Sequence, residues 1–176
     1  MKLQQRCESI ELILSDVDGV LTDGTLWLDA RGMELKGFSI RDGLAVRLWQ
    51  RAGHRFGLVT ARSSQAVKLR AAELGITLLR QGSEEKLAVV QEVLQQEGLE
   101  PHQVCYIGDD LPDLPVMGYV GLGVAVADAA AELRRAAHLV TQAPGGRGAV
   151  RETVEVILKA QRRWEEIVRR FESGSL

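Results

Sequence analysis

The chain has 176 residues, 45% hydrophobic and 26% charged, with a net charge of −2. That length suits one domain with a substantial core, taken to span residues 1–176. The near-neutral balance excludes the basic footprint of a nucleic-acid binder. No apolar run reaches membrane-spanning length, and the N-terminus lacks a signal peptide's apolar stretch. The expectation is a soluble cytoplasmic protein. Cys7 and Cys105 have neither metal-type spacing nor the makings of a disulfide framework. His54, His102 and His138 are scattered and are read as non-catalytic.

The first strand is the apolar run at 10–14, and it delivers Asp16 and Asp18 into a loop rich in glycine. A hairpin follows at about 25–40, its arms joined by Ala30-Arg31-Gly32. Asp42 is expected to cap a helix carrying Leu44, Leu48 and Trp49 and closed by Gly53. A buried strand at 56–60 ends on Thr60. Ser63 or Ser64 then caps a helix that runs to Gly75. Strand 76–79 and a helix capped by Ser83 lead to strand 103–107 and Gly108-Asp109-Asp110. Two more strands, within 120–126 and 138–141, flank an alanine-rich helix at 129–137. A last helix over about 148–171 carries an apolar stripe from Val150 to Phe171, and 172–176 is expected to be disordered.

Strands alternating with helices of this length imply βαβ units and a parallel sheet covered on both faces. Ligands of such sheets bind beyond the carboxyl ends of the strands. Asp16, Asp18, Thr60, Asp109 and Asp110 all stand at such ends, so they should converge on one edge. Two carboxylates spaced i, i+2 raise each other's pKa unless a proton or cation lies between them. A divalent metal is the simplest remedy, and Mg²⁺ takes one or two carboxylates together with phosphate oxygens. Read alone, the Asp-Gly loop suits an ordinary turn equally well.

Taken together, Asp16-Val17-Asp18-Gly19-Val20, Val59-Thr60, Lys86 and Gly108-Asp109-Asp110-Leu111-Pro112-Asp113 resemble the four motifs of the haloacid dehalogenase-type phosphohydrolases, in their order and approximate spacing. The resemblance implies a Rossmann-like αβα sandwich with a mainly parallel sheet and a small hairpin after the first strand. It implies Asp16 as nucleophile and Asp18 as general acid and base. Mg²⁺ would be held by Asp16, Asp109 and the backbone carbonyl of Asp18. Thr60 and Lys86 would hold the phosphoryl group, with Asp110 and Asp113 supporting them from behind. The intervals Asp18–Thr60 and Thr60–Lys86 leave no room for the cap domain of larger relatives.

Within that superfamily the chain is most similar to the capless tetrameric phosphatases of 3-deoxy-D-manno-octulosonate 8-phosphate (KDO 8-phosphate). The likeness rests on residues 16–24, Arg41-Asp42-Gly43, Val59 to Arg62, Gly82 before Lys86, residues 108–117 and residues 143–152. Ala61 and Glu85 depart from residues frequent there, without removing a catalytic group. Relatives acting on nine-carbon sialic-type sugar phosphates tend to carry Glu at the position of Arg62 and Lys at that of Glu73, which favours the eight-carbon acid. The substrate's carboxylate calls for a second anion site, and Arg62, Arg70 and Arg147 are the candidates. The hairpin, with Trp27, Leu28 and Phe38, is the expected contact of a homotetramer. The resemblance places the reaction in lipopolysaccharide precursor synthesis. The competing readings are a nine-carbon sugar-acid phosphatase and a non-catalytic oligomerisation module of the same fold.

Overall fold

In the computed structural model, which describes residues 2–174, six strands form one parallel sheet. They are β1 (Leu12–Ser15), β4 (Arg55–Thr60), β5 (Leu78–Gln81), β6 (Val104–Gly108), β7 (Leu122–Ala125) and β8 (Leu139–Val140). A separate antiparallel pair, β2 (Trp27–Leu28) and β3 (Glu34–Leu35), makes the hairpin. The helices are α1 (Leu3–Glu8), α2 (Ile40–Arg51), α3 (Gln65–Glu73), α4 (Lys86–Glu97), α5 (Leu114–Met117), α6 (Ala131–Ala136), α7 (Ala149–Ala160) and α8 (Trp164–Glu172).

The strand order is β5-β4-β1-β6-β7-β8. Helix α7 packs against α1 and α2, while α4, α5 and α6 pack in succession. Strands β1, β6 and β7 are buried throughout, as a parallel sheet covered on both faces requires. The chain builds outward from β1 to β4 and β5, then returns to build β6, β7 and β8 on the other side. The switch therefore lies between β1 and β6, and a doubly wound sheet opens its ligand crevice at that point. Asp16 follows the first of these strands and Asp109 the second. Between Asp18 and Thr60 lie only the hairpin and α2, and between Thr60 and Lys86 only α3 and β5, so there is no cap.

Several expected elements shift. Strand β5 starts two residues later than expected, because Ile76 still donates to the carbonyl of Ala71 in the turn leaving α3. Helix α4 begins at Lys86, not after Ser83, with Glu85 as its N-cap residue. Ser64 caps α3, accepting from the N–H of Val67. Ser39, not Asp42, caps α2; the side chain of Asp42 reaches across to α7 instead. The single helix expected over 148–171 is two, broken where Arg162 takes a positive φ of 58°. The hairpin's paired segments are only two residues each. Its turn is held by the carboxylate of Asp29, which accepts from the N–H groups of Arg31 and Met33. Helix α1 was not expected; it buries Cys7 and sends Arg6 to the carbonyl of Gly121. Of the segment 172–176, Glu172 ends α8 and Ser173 and Gly174 form a turn, while Ser175 and Leu176 lie outside the described residues.

Candidate active site

Asp16 leaves β1 with its N–H bonded to the carbonyl of Ile107 on β6 at 2.9 Å, which fixes it at the switch point. Its carboxylate is nearly buried, with 7% of the residue exposed. One oxygen accepts from the N–H of Val17 at 2.6 Å and the other from Lys86 Nζ at 2.6 Å. Lys86 opens α4, where a cation opposes the helix dipole. Two carboxylates compensate it, since Nζ also donates to Asp113 Oδ1 at 2.6 Å. Burial alone would depress the pKa of this ammonium, but Asp16 and Asp113 hold it above its ordinary value.

Asp113 is fully buried and accepts on both oxygens. Oδ1 takes the Tyr106 hydroxyl at 2.7 Å as well as Lys86, and Oδ2 takes the N–H groups of Asp109 and Asp110 at 3.0 and 3.3 Å. Asp109 stands beside it with no ion pair among the described residues. Burial first, then the charges of Asp16 and Asp113, push its carboxyl from 3.8 to about 8. Asp16 is raised to about 6, mainly by burial, with Asp113 adding to the rise and Lys86 opposing it. Carboxylate oxygens of Asp16, Asp109 and Asp113 lie within 4.8 Å of one another.

One ammonium among three clustered carboxylates leaves negative charge that a divalent cation would neutralise. Asp16 and Asp109 are suited to hold it, because each oxygen of Asp113 already accepts from two donors, whereas each oxygen of Asp16 accepts from one. Gly19 leaves room for this arrangement. At its φ of +87°, a Cβ would fall 2.0 Å from Asp109 Oδ2, so a side chain there would displace the carboxylate.

The mouth is built by the Asp loop, the end of β4 and the hairpin. Thr60 ends β4 with 2% exposure, and its carbonyl accepts from Gly82 at 3.0 Å. Asp18 is ion-paired with Lys36 of the hairpin, which also lies 3.3 Å from Glu34. Glu34 in turn accepts from Ser64 Oγ and from Arg62 Nη2 at 2.9 Å. The Ser64 hydroxyl, reinforced by Arg62 and Lys36, holds the Glu34 carboxyl down at about 2. Arg62 Nε is 3.9 Å from Asp18 Oδ2.

The other candidates separate. Asp110 is exposed and caps the turn at Leu111, accepting from its N–H at 2.8 Å. Arg70 is committed to the chain itself. It donates to the Ser39 carbonyl, pairs with Glu73 at 2.8 Å and lies over the Phe38 ring. Arg147 is exposed in a glycine loop that presses on the Asp loop, where a Cβ on Gly145 would sit 1.8 Å from the Gly19 carbonyl oxygen. Two of the histidines have structural partners: His54 stacks on Trp49 and meets Gln161 Oε1, and His138 Nδ1 accepts from the N–H of Gly123.

Sequence reasoning missed Lys36, Glu34 and Tyr106. The signal for the last was a lone hydroxyl inside an otherwise apolar buried strand, where it needs a partner. For the hairpin pair it was the alternation Met33-Glu34-Leu35-Lys36, which puts charge on one face and apolar groups on the other.

A family model for haloacid dehalogenase-like hydrolases matches residues 78–150. The 3-deoxy-D-manno-octulosonate 8-phosphate phosphatase of Yersinia pestis is 47% identical over 92% of this chain and 86% of its own length. That of Escherichia coli K12 is 44% identical over the same shares. The Moraxella catarrhalis enzyme of the same name, solved in complex with magnesium, phosphate and KDO, superposes with a TM-score of 0.94. It is 38% identical and covers 96% of this chain and 97% of its own. With this likeness running along nearly the whole chain, the chain belongs to the haloacid dehalogenase-like hydrolases, in the family of the 3-deoxy-D-manno-octulosonate 8-phosphate phosphatases.

Proposed function

We propose that the chain hydrolyses KDO 8-phosphate to KDO and inorganic phosphate through an aspartyl-phosphate on Asp16. The observation that carries this reading is Asp16 itself: a nearly buried carboxylate at the sheet's switch point, braced by Lys86 and facing the uncompensated Asp109. A carboxylate oxygen of Asp16 attacks phosphorus as the ester P–O bond breaks, and the departing sugar oxygen takes a proton from Asp18. Water then attacks phosphorus and gives its proton to Asp18, the bond from phosphorus to Asp16 breaks, and phosphate leaves. Lys86 and Thr60 bind phosphoryl oxygens, and Asp113 with Tyr106 keeps Lys86 in place. Asp16, Asp109 and the Asp18 backbone carbonyl would hold Mg²⁺, which would supply positive charge against the phosphoryl group.

Of the arginines, Arg147, exposed on the glycine loop, and Arg62, paired with Glu34 but with half of its side chain exposed at the mouth, are the better carboxylate ligands, because the Arg70 side chain is only 14% exposed and engaged by Ser39 and Glu73. Arg62 together with Glu73 supports the eight-carbon acid over a nine-carbon one. A complete set of Asp16, Asp18, Thr60, Lys86 and Asp109 speaks for an enzyme and against a bare scaffold. The finer readings are a homotetramer assembled through the hairpin, working in the cytoplasm on lipopolysaccharide precursors; the family likeness supports the assembly and the setting, and the exposed apolar residues of the short hairpin support the contact. The test is phosphate release with Mg²⁺ from KDO 8-phosphate, nine-carbon acid phosphates and simple sugar phosphates. Selective turnover of the eight-carbon ester, abolished in Asp16→Asn, is expected; selective turnover of another ester overturns the substrate, and none overturns the enzyme.

A further inference from the structure

The hairpin carries an inverted pattern. Met33 and Leu35 face solvent, while Glu34 and Lys36 turn inward to the catalytic loop. The Lys36 side chain is 1% exposed, although it sits on a two-stranded ribbon outside the main sheet. Burying an ammonium is costly unless it is paired, and here it lies between two carboxylates. It bonds Asp18 Oδ1 on one side and approaches Glu34 Oε1 at 3.3 Å on the other. Glu34 is itself anchored to the body of the protein by Ser64 Oγ and Arg62. Asp18 Oδ2, by contrast, is buried without a hydrogen-bond partner.

We propose that Lys36 is a positioning residue for Asp18, its ammonium, steadied by Glu34 and through it by Ser64, fixing one carboxylate oxygen so that the other serves proton transfer. Lys36 keeps its own proton throughout and makes no contact with the reacting phosphorus. Both of its sides are occupied by carboxylates of the chain, which distinguishes it from a ligand of the substrate. The device also joins the proton-transfer group to the hairpin, so whatever packs on the outer face of β2 and β3 acts on the aim of Asp18. The inference rests on the reading of Asp18 as the general acid given above.

The experiment measures alcohol release in single turnovers with Mg²⁺ on two esters. KDO 8-phosphate loses an alkoxide that needs a proton, and p-nitrophenyl phosphate loses a phenolate that does not. Lys36→Met is expected to slow release from the sugar ester about 10- to 100-fold, part of the contribution of a positioned acid. On the nitrophenyl ester the loss should stay within about 3-fold, and KM for the sugar ester should hold. Lys36→Arg should recover most of the rate, and Glu34→Gln, which loosens the clamp without removing the ammonium, should reproduce a smaller selective loss. Asp18→Asn serves as the reference and must itself show the selective loss. If it slows both esters equally, the assignment of Asp18 fails and the inference with it. If Asp18→Asn is selective while Lys36→Met and Glu34→Gln slow both esters alike, change only KM or change nothing, the role of Lys36 alone is overturned. Should Lys36→Met fail to fold, Glu34→Gln decides by the same criterion.

Discussion

Lys86 and Asp113 meet at 2.6 Å in the interior, and every hydrogen-bonding direction of that carboxylate is met by a donor. Two come from side chains, Lys86 and Tyr106, and two from the backbone of the loop that places Asp109. Asp113→Asn would turn an amide NH₂ toward one of those donor pairs and remove half of the charge that compensates Lys86. Breaking a buried pair from one side costs about 3–5 kcal/mol. Urea unfolding should show a loss in that range, with Tyr106→Phe, which removes a single bond, losing only about 1 kcal/mol. Equal stability of Asp113→Asn and the parent would mean that Lys86 is neutralised by Asp16 alone.

The carboxylate cluster also makes stability and magnesium binding depend on pH. The folded-state values of Asp16 and Asp109, about 6 and about 8, lie above the ordinary 3.8. A raised value means that the folded protein holds protons the unfolded chain has lost. This stabilisation is full below pH 3.8 and disappears as pH rises through about 6 and then about 8. Without metal, thermal stability should therefore fall from pH 5 to pH 8.5. Mg²⁺ competes with those protons, so the rise in Tm on adding it should grow over the same interval, and calorimetry in two buffers near pH 7 should detect proton release. Asp109→Asn should remove most of that release; a pH-independent magnesium shift would contradict the assignment of the cluster.

The framework of this site was legible because its residues sit at strand ends, where the periodicity breaks and polar groups appear. Asp16, Thr60 and Asp109 needed only the positions of β1, β4 and β6 and the rule that such ends converge. Lys86 needed the family resemblance, since a lysine after Ser83-Glu84-Glu85 looks like any exposed first-turn cation. Partners supplied across the fold were not legible. Asp42 lies in the first turn of α2 and caps a helix that begins with Ala149, more than a hundred residues later. Lys36 reaches Asp18 only because the hairpin folds back. The break at Arg162 was hidden as well, for an apolar stripe continues through it and a single left-handed residue leaves no mark on the pattern.

That cross-fold cap is testable. Asp42 is buried, with Oδ2 accepting from the N–H of Gly148 at 3.0 Å and Oδ1 from that of Arg151 at 2.8 Å. Both donors belong to the first turn of α7 or the residue before it, where no intrahelical acceptor exists. Asp42→Ala should lose about 1–2 kcal/mol of stability, the usual cost of a missing cap. Hydrogen exchange should accelerate at Gly148 and Arg151 first, before the remainder of α7. Uniform acceleration along the helix would mean that its docking against α2, and not the cap, was lost.

The outer face of the hairpin supplies the last expectation. Trp27, Met33 and Leu35 are each 60% or more exposed, and the strands beneath them pair over only two residues. A ribbon that short is marginal without something packed on it, while each such side chain gains about 1.5–3 kcal/mol when fully buried. A second copy of the chain presenting the same face satisfies both needs at once. Light scattering on the parent should give the mass of four chains, and Trp27→Glu combined with Leu35→Glu should give a smaller assembly or a single chain. Because Asp16, Lys86, Asp109 and Asp113 are held by the sheet and α4, the variant should keep its magnesium-dependent rise in Tm. A tetramer that survives both charges would move the interface off the hairpin, and loss of the magnesium response would mean that the hairpin holds the carboxylate cluster as well as the aim of Asp18.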